Sequence, residues 1–323
     1  MVHGSAYLYG PVQDDLHRVE SYLLGVAKVD YAWLADLVTH TIGKSGKRIR
    51  PALTLLAGTF YDYRLDLLIP MASAAELLHT ATLVHDDMLD NATTRRGRPT
   101  VNSLWSAGIT VLLGDYLFAN SAELVSRTAN VRVMRRFAQT LMTICNGELA
   151  QNFMAFECNQ TREDYYQRIG GKTAALFAMA TECGAALSAA PEEVVQALER
   201  YGYNLGMAFQ IADDILDFMG DAAEMGKPVG SDLLQGTLTL PALLLLEQHP
   251  QDNPIQALFA ERDPEANLQH TLDLIRRLGI IEQAYAVARE FSATAVRSLT
   301  ILPDTPARHT LEQLADYVLE RRA

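Results

Sequence analysis

Residues 65–90 read LDLLIPMASAAELLHTATLVHDDMLD, and 91–99 continue as NATTRRGRP. Most of the first stretch is apolar on nearly every side, small at several positions, and repeats every three to four residues. That pattern predicts a helix in the middle of a helical bundle, not an alternating strand. Its last turn crowds Asp86, Asp87 and Asp90, and Arg95, Arg96 and Arg98 follow just beyond. Residues four apart share a helix face, so Asp86 and Asp90 can hold a divalent ion together. The arginines come after a turn that can fold back, which points to an ion shared with a phosphate.

The same period runs through the rest of the chain. It predicts helices over 12–27, 31–42, 48–60, 109–127, 131–157, 161–169, 172–188, 191–219, 237–248, 265–278, 280–299 and 306–321, with no alternating run. The fold class is therefore all-α. No linker rich in proline, glycine or serine divides the chain, so residues 1–323 read as a single domain, and 49% hydrophobic content supplies its core. Helices 65–90, 131–157 and 191–219 are expected to line the middle of the bundle. Loops at 91–102 and 220–236 each follow an aspartate cluster.

Composition narrows the function. A net charge of −12 argues against a nucleic-acid binder. The opening MVHGSAYLYGPVQDD has neither a basic region nor an apolar core of a leader. The greasiest run, LPALLLL at 240–246, is too short to span a bilayer. A cytoplasmic protein that does not span the membrane is the expectation. Cys145, Cys158 and Cys183 lack metal spacing and read as buried thiols.

An acidic protein that binds an anion must gather its cations locally. Only five lysines stand against 22 arginines, and four of the five sit beside glycine: Lys44, Lys47, Lys172 and Lys227. Glycine admits a ligand close to the backbone, and an ammonium suits phosphate oxygens. Each lysine alone reads more readily as a helix-end residue beside a cap glycine; four of five favour the anion.

A second cluster lies in FQIADDILDF, 209–218, where Asp213 and Asp217 repeat the four-residue spacing and Asp214 parallels Asp87. Two exposed acidic helix ends would look similar. The apolar flanks LLHTATLV and NLGMAFQIA oppose that reading, because acids at the rim of a buried region need pairing or a metal. Two such helices facing each other would line one cavity, and magnesium is held by a few carboxylates together with phosphates and water.

GKSGKRIRP at 43–51, HDDMLD followed by RRGRP, GGKT at 170–173, FQIADDILD and GKPVGSD at 226–232 occur in the order of the trans-isoprenyl diphosphate synthases, and the chain resembles that family from about Gly43 to Pro241. The resemblance implies the all-α isoprenoid synthase fold, a helical bundle around a central apolar cavity, commonly homodimeric. It implies Mg2+ as cofactor, with Asp86, Asp90 and Asp213 as direct ligands and Asp87, Asp214 and Asp217 in support. Arg95, Lys172, Thr173, Gln210 and Lys227 are implied contacts of the allylic prenyl diphosphate. Lys47, Arg50, His79 and Arg96 are implied for isopentenyl diphosphate. His85 has no such support and is expected only to pack. Thr237 stands where many relatives carry a further lysine, which removes one cation.

The implied reaction is head-to-tail elongation, with transient membrane contact when product leaves. Ala81 and Thr82, one turn before Asp86, are small where short-chain members carry a bulky aromatic, so the product is expected to exceed geranylgeranyl diphosphate. Leu77, Leu78, Phe153 and Phe156 are candidates for the tunnel floor. The rivals are a short-chain farnesyl or geranylgeranyl synthase, a terpene cyclase, which would replace the second aspartate cluster with an Asn/Ser/Glu motif, and an all-α phosphohydrolase. A non-catalytic subunit of a two-part synthase should have lost its aspartates; the catalytic half of a heteromer remains compatible.

Overall fold

The computed structural model describes residues 8–43, 46–95, 97–219, 228–251 and 253–320. Among the described residues the chain is almost wholly helical: α1 (Gln13–Gly25), α2 (Ala32–Ile42), α3 (Ile49–Gly58), α4 (Leu65–Leu89), α5 (Val101–Leu104), α6 (Ala107–Ser126), α7 (Val131–Phe153) and α8 (Arg162–Ile169), then α9 (Ala175–Leu187), α10 (Glu192–Met219), α11 (Ser231–Leu234), α12 (Leu240–Gln248), α13 (Pro254–Phe259), α14 (Pro264–Arg277), α15 (Ile280–Ser298) and α16 (Pro306–Glu320). The predicted helices fall on these elements within a few residues. The periodicity does not reveal the short α5, α11 and α13, a π turn at Gly170–Ala174, or a hairpin of β1 (Thr94–Arg95) and β2 (Arg98–Pro99).

The chain divides into two compact units, one of Met1–Gln139, Leu176–Gly202 and Ser298–Leu314, the other of Thr140–Ala175, Tyr203–Arg297 and Ala315–Ala323. The first is organised on α4, which packs against α1, α3 and α6. Every residue of α4 from Pro70 to Leu78 is buried, Glu76 included. Small residues let α6 come close, and the Ser121 hydroxyl donates to the Ala74 carbonyl at 2.8 Å. Fully burying a leucine such as Leu77 or Leu78 stabilises by about 1.5–3 kcal/mol, so α4 is held by packing far more than by helix propensity. By length and composition alone α4 could cross a membrane, contrary to the expectation that no run is long enough; with 72% of its apolar window buried it is a core helix.

The second unit has its own core, which includes Tyr165, Ile211, Ile215, Phe218, Leu243 and Ile275. Within it α7 meets the π turn through two glycines. A Cβ on Gly147 would lie 2.9 Å from the Lys172 nitrogen, and one on Gly171 would lie 3.0 Å from the Thr143 carbonyl oxygen. The space beside Lys172 that glycine was expected to leave for a ligand is thus occupied at Gly171 by α7 backbone.

Burial corrects three further expectations. α7 is not surrounded by core: Val133, Phe137, Ile144 and Gly147 are buried, whereas Val131, Met134, Ala138, Met142, Cys145, Leu149 and Phe153 form an exposed stripe at helical spacing. Phe153 is 84% and Phe156 50% exposed, so neither floors an interior tunnel, although Leu77 and Leu78 are fully buried. Of the cysteines only Cys183 is buried; Cys158 is half-buried and Cys145 exposed. His85 packs, its ring 5.3 Å from that of Phe118, but does not only pack: its Nε2 lies 3.2 Å from the Val111 carbonyl oxygen.

Candidate active site

In the first unit, the end of α4 carries Asp86, Asp87 and Asp90. Adjacent helix positions are turned about 100° apart, so the neighbours meet different surroundings. Asp87 is buried and accepts from Arg95 Nε at 2.7 Å, while Asp86 is half-buried and Asp90 exposed. Burial raises the Asp87 carboxyl above its ordinary range and the Arg95 charge opposes that rise. The predicted fold-back is made by the hairpin: Ala92 N–H donates to the Asp87 carbonyl at 2.9 Å, and the Thr100 hydroxyl to the Ala92 carbonyl at 2.7 Å.

On the same helix His79 and Thr82 are half-buried and Ala81 is fully buried. The Thr82 hydroxyl donates to the His79 carbonyl at 2.7 Å, so it is turned along its own helix. Lys47 is exposed just before α3, and Arg50, in its first turn, places its guanidinium 4.8 Å from the Phe177 ring centroid.

The second unit joins four polar side chains in series. Thr173 Oγ1 donates to Gln210 Oε1 at 2.6 Å, and Gln210 Nε2 donates to Asp214 Oδ1 at 2.8 Å. The phenol of fully buried Tyr165 donates to Asp214 Oδ2 at 2.7 Å. Because Thr173 fills the amide oxygen, the Gln210 amide nitrogen faces the carboxylate. Burial pushes the Asp214 carboxyl up to about 7, the Asp232 charge adds to the rise, and the Tyr165 and Gln210 donors resist it. Arg168, buried beside this series, donates to Gln160 Oε1 at 3.0 Å and to the Leu238 carbonyl.

Asp217 serves the backbone beyond its helix. Its carboxylate accepts from Ser231 Oγ at 2.9 Å and from the Asp232 N–H at 3.2 Å, and its carbonyl accepts from Gly230 N–H at 2.8 Å. Asp213, one position from buried Asp214, is exposed. Lys172 Nζ lies 2.6 Å from Glu148 Oε1. Thr173, Gln210 and Asp214 are therefore brought together, as are Asp87 and Arg95. Lys44, Arg96 and Lys227 lie outside the described residues. Tyr165, Arg168 and Glu148 escaped the motif reading, and Ser231 lies within GKPVGSD without a role assigned to it there. The available signal was Arg168, a charge in phase with the apolar positions Tyr165 and Ile169 of REDYYQRI, which calls for buried partners.

Each motif thus has carboxylates held by protein donors, Asp87 in one and Asp214 and Asp217 in the other, beside half-buried or exposed Asp86, Asp90 and Asp213. Carboxylates are hard oxygen donors of the kind that suits a small divalent cation. No three His, Cys, Asp or Glu side chains among the described residues are grouped so as to hold an ion.

The model of polyprenyl synthetases matches residues 31–275. The chain belongs to that family. As a polyprenyl synthetase it is a prenyltransferase, acting on an allylic diphosphate and isopentenyl diphosphate. It is 40% identical, over 97% of this chain and 98% of the relative, to heptaprenyl diphosphate synthase component 2 of Geobacillus stearothermophilus. The decaprenyl diphosphate synthase of Rhodobacter capsulatus superposes with a TM-score of 0.92 at 38% identity, over 98% of this chain and 99% of that one. A polyprenyl synthase of Caulobacter crescentus, solved with calcium and isoprenyl diphosphate, superposes at 0.93 with 32% identity over 100% and 99% of the chains. The fold is thus the all-α isoprenoid synthase fold expected from the motifs.

Proposed function

We propose that this polyprenyl synthetase is a long-chain trans-polyprenyl diphosphate synthase that uses Mg2+ and builds a product longer than geranylgeranyl diphosphate. The observation that carries the reading is the division of labour within each aspartate motif, together with small Ala81 and Thr82 one turn before Asp86. The calcium and isoprenyl diphosphate of the Caulobacter relative support a metal-diphosphate chemistry, and the heptaprenyl and decaprenyl relatives support the long product.

Asp86, Asp90 and Asp213 would hold magnesium, which when bound supplies charge stabilisation for the departing diphosphate. Asp87, Asp214 and Asp217 keep their motifs in shape. Arg95, Lys172, Thr173, Gln210 and Lys227 take the allylic diphosphate, and Lys47, Arg50, His79 and Arg96 take the isopentenyl diphosphate. Cations aimed at the leaving group stabilise the charge that grows on it, and apolar walls keep water from the allylic cation. The whole chain, 1–323, acts as one functional domain in the cytoplasm, with transient membrane contact as product leaves.

The exposed α7 stripe supports a homodimer, since apolar surface at this spacing is stabilised by burial. A second reading, the catalytic half of a two-chain synthase, is favoured by the naming of the Geobacillus relative as a component 2. Purified protein with Mg2+, labelled isopentenyl diphosphate and farnesyl or geranylgeranyl diphosphate tests both. Elongated chains from this protein alone support the homodimer. Inactivity alone transfers support to the two-chain enzyme, and phosphate release without elongation would indicate a hydrolase. Asp86→Ala and Asp213→Ala should each cripple turnover; full activity in either removes that residue from the metal site.

A further inference from the structure

Glu76 is an acid inside the wholly buried run Pro70–Leu78, and Arg48 is a non-glycine residue in left-handed conformation, with φ 49° and ψ 36°. A buried carboxylate requires a partner, and a left-handed arginine requires contacts that offset its steric cost. Each supplies what the other lacks. Arg48 Nη1 donates to Glu76 Oε1 at 2.7 Å, with both side chains largely buried, at 11% and 7% exposure. The same guanidinium donates through Nε to Glu20 Oε1 at 2.8 Å and through Nη2 to the Ile42 carbonyl at 3.2 Å. One planar fork therefore ties α1, the end of α2 and α4 to the residue that precedes α3.

The tie acts on its neighbours. Lys47 is exposed, yet the Tyr9 hydroxyl donates to its carbonyl, and Arg48 anchors the next residue. At Gly46 an added Cβ would lie 3.2 Å from Glu76 Oε1, so the segment runs tightly along the α4 carboxylate. Arg50 follows in the first turn of α3, and His79 stands one turn beyond Glu76 on α4, where i and i+3 are neighbours.

We infer that Arg48 and Glu76 form a buried positioning pair that sets Lys47 and Arg50 against His79 for the second diphosphate. This rests on the proposed assignment of those three residues to isopentenyl diphosphate. Neither member of the pair needs to touch substrate. Arginine is required for its fork: a lysine at 48 keeps the charge but cannot reach three acceptors in one plane.

The test is steady-state kinetics on Arg48→Gln, Arg48→Lys and Glu76→Gln, with each substrate varied in turn. Lys47→Ala is run as the test of the pocket and Tyr201→Phe as a variant that loses only a buried hydrogen bond in the same unit, to the Leu311 carbonyl. Misplacing a binding group by about 1 Å can cost up to about 100-fold, so Arg48→Gln and Glu76→Gln should raise the KM for isopentenyl diphosphate by about tenfold or more, with the allylic KM changing less than about twofold. Arg48→Lys should fall between them and the parent. Tyr201→Phe should lower Tm and leave both KM values in place. If Lys47→Ala raises that KM while the Arg48 and Glu76 variants do not, or if they shift both KM values alike, the positioning role is overturned. If Lys47→Ala itself leaves the isopentenyl KM unchanged, the pocket assignment fails instead. Should Arg48→Gln not fold, the near-isosteric Glu76→Gln decides alone.

Discussion

Tyr165→Phe removes one oxygen from a fully buried site and leaves Asp214 Oδ2 without the donor now 2.7 Å away. A hydrogen bond to a charged group contributes about 1.5–3 kcal/mol, and leaving a buried acceptor unsatisfied costs at the upper end of that range. With unfolding entropy of about 2.1 cal/mol/K per residue, that loss lowers Tm of a cooperatively unfolding chain of 323 residues by about 2–4 °C. The sign with pH follows from the raised Asp214 pKa of about 7. A carboxyl whose folded pKa lies above its unfolded one stabilises at low pH, and that contribution fades as pH rises through the folded value. The Tyr165 donor limits this loss, so its removal should cost most once Asp214 is ionised. Thermal unfolding in chelator should show the full Tm drop near about pH 8 and little near about pH 5, with Tyr166→Phe, on a half-buried neighbour, close to the parent at both. A Tyr165→Phe drop below about 1 °C at the higher pH, or an equal drop at both, refutes the argument.

Three other outcomes can be measured directly. Ala81→Phe should shorten the product, read by sizing the extracted chains of a variant with parent-like circular dichroism; an unchanged distribution removes Ala81 from the chain-length wall. Leu149→Arg, in the middle of the exposed α7 stripe, should halve the solution mass seen by light scattering, whereas an unaltered mass places the interface elsewhere. In the native protein Cys183, buried and with its thiol pKa pushed up by burial, should resist alkylation until unfolding. Cys145 on the α7 stripe should react quickly in the Leu149→Arg variant and slowly in the parent; equal rates would argue that nothing covers that face.

The helices were legible because their apolar period is long and regular, as in Leu65–Leu89 and Glu192–Met219. The motifs were legible because paired aspartates four apart have few structural uses. Burial was not. Met142 and Leu149 look like core on a helical wheel, and no periodicity separates a face covered by the same chain from one left exposed. The β1–β2 hairpin has two residues per strand, too few to alternate, and the π turn adds one residue that its sequence does not announce. Glu76 was the most informative residue passed over. A single acid in LIPMASAAELLHTATL signals a buried partner, but its partner, Arg48, is 28 positions away, and only the fold brings them together. Tyr165 and Asp214 are the same case at 49 positions.

Asp217 ends α10's motif and also receives Gly230, Ser231 and Asp232. One residue therefore rivets the last turn of α10 to the start of α11. The one-atom change Asp217→Asn, which removes the charge from both side-chain bonds, should loosen the start of α11. A helix of four residues is too short to hold itself, so the place of α11 is set by the aspartate that receives it.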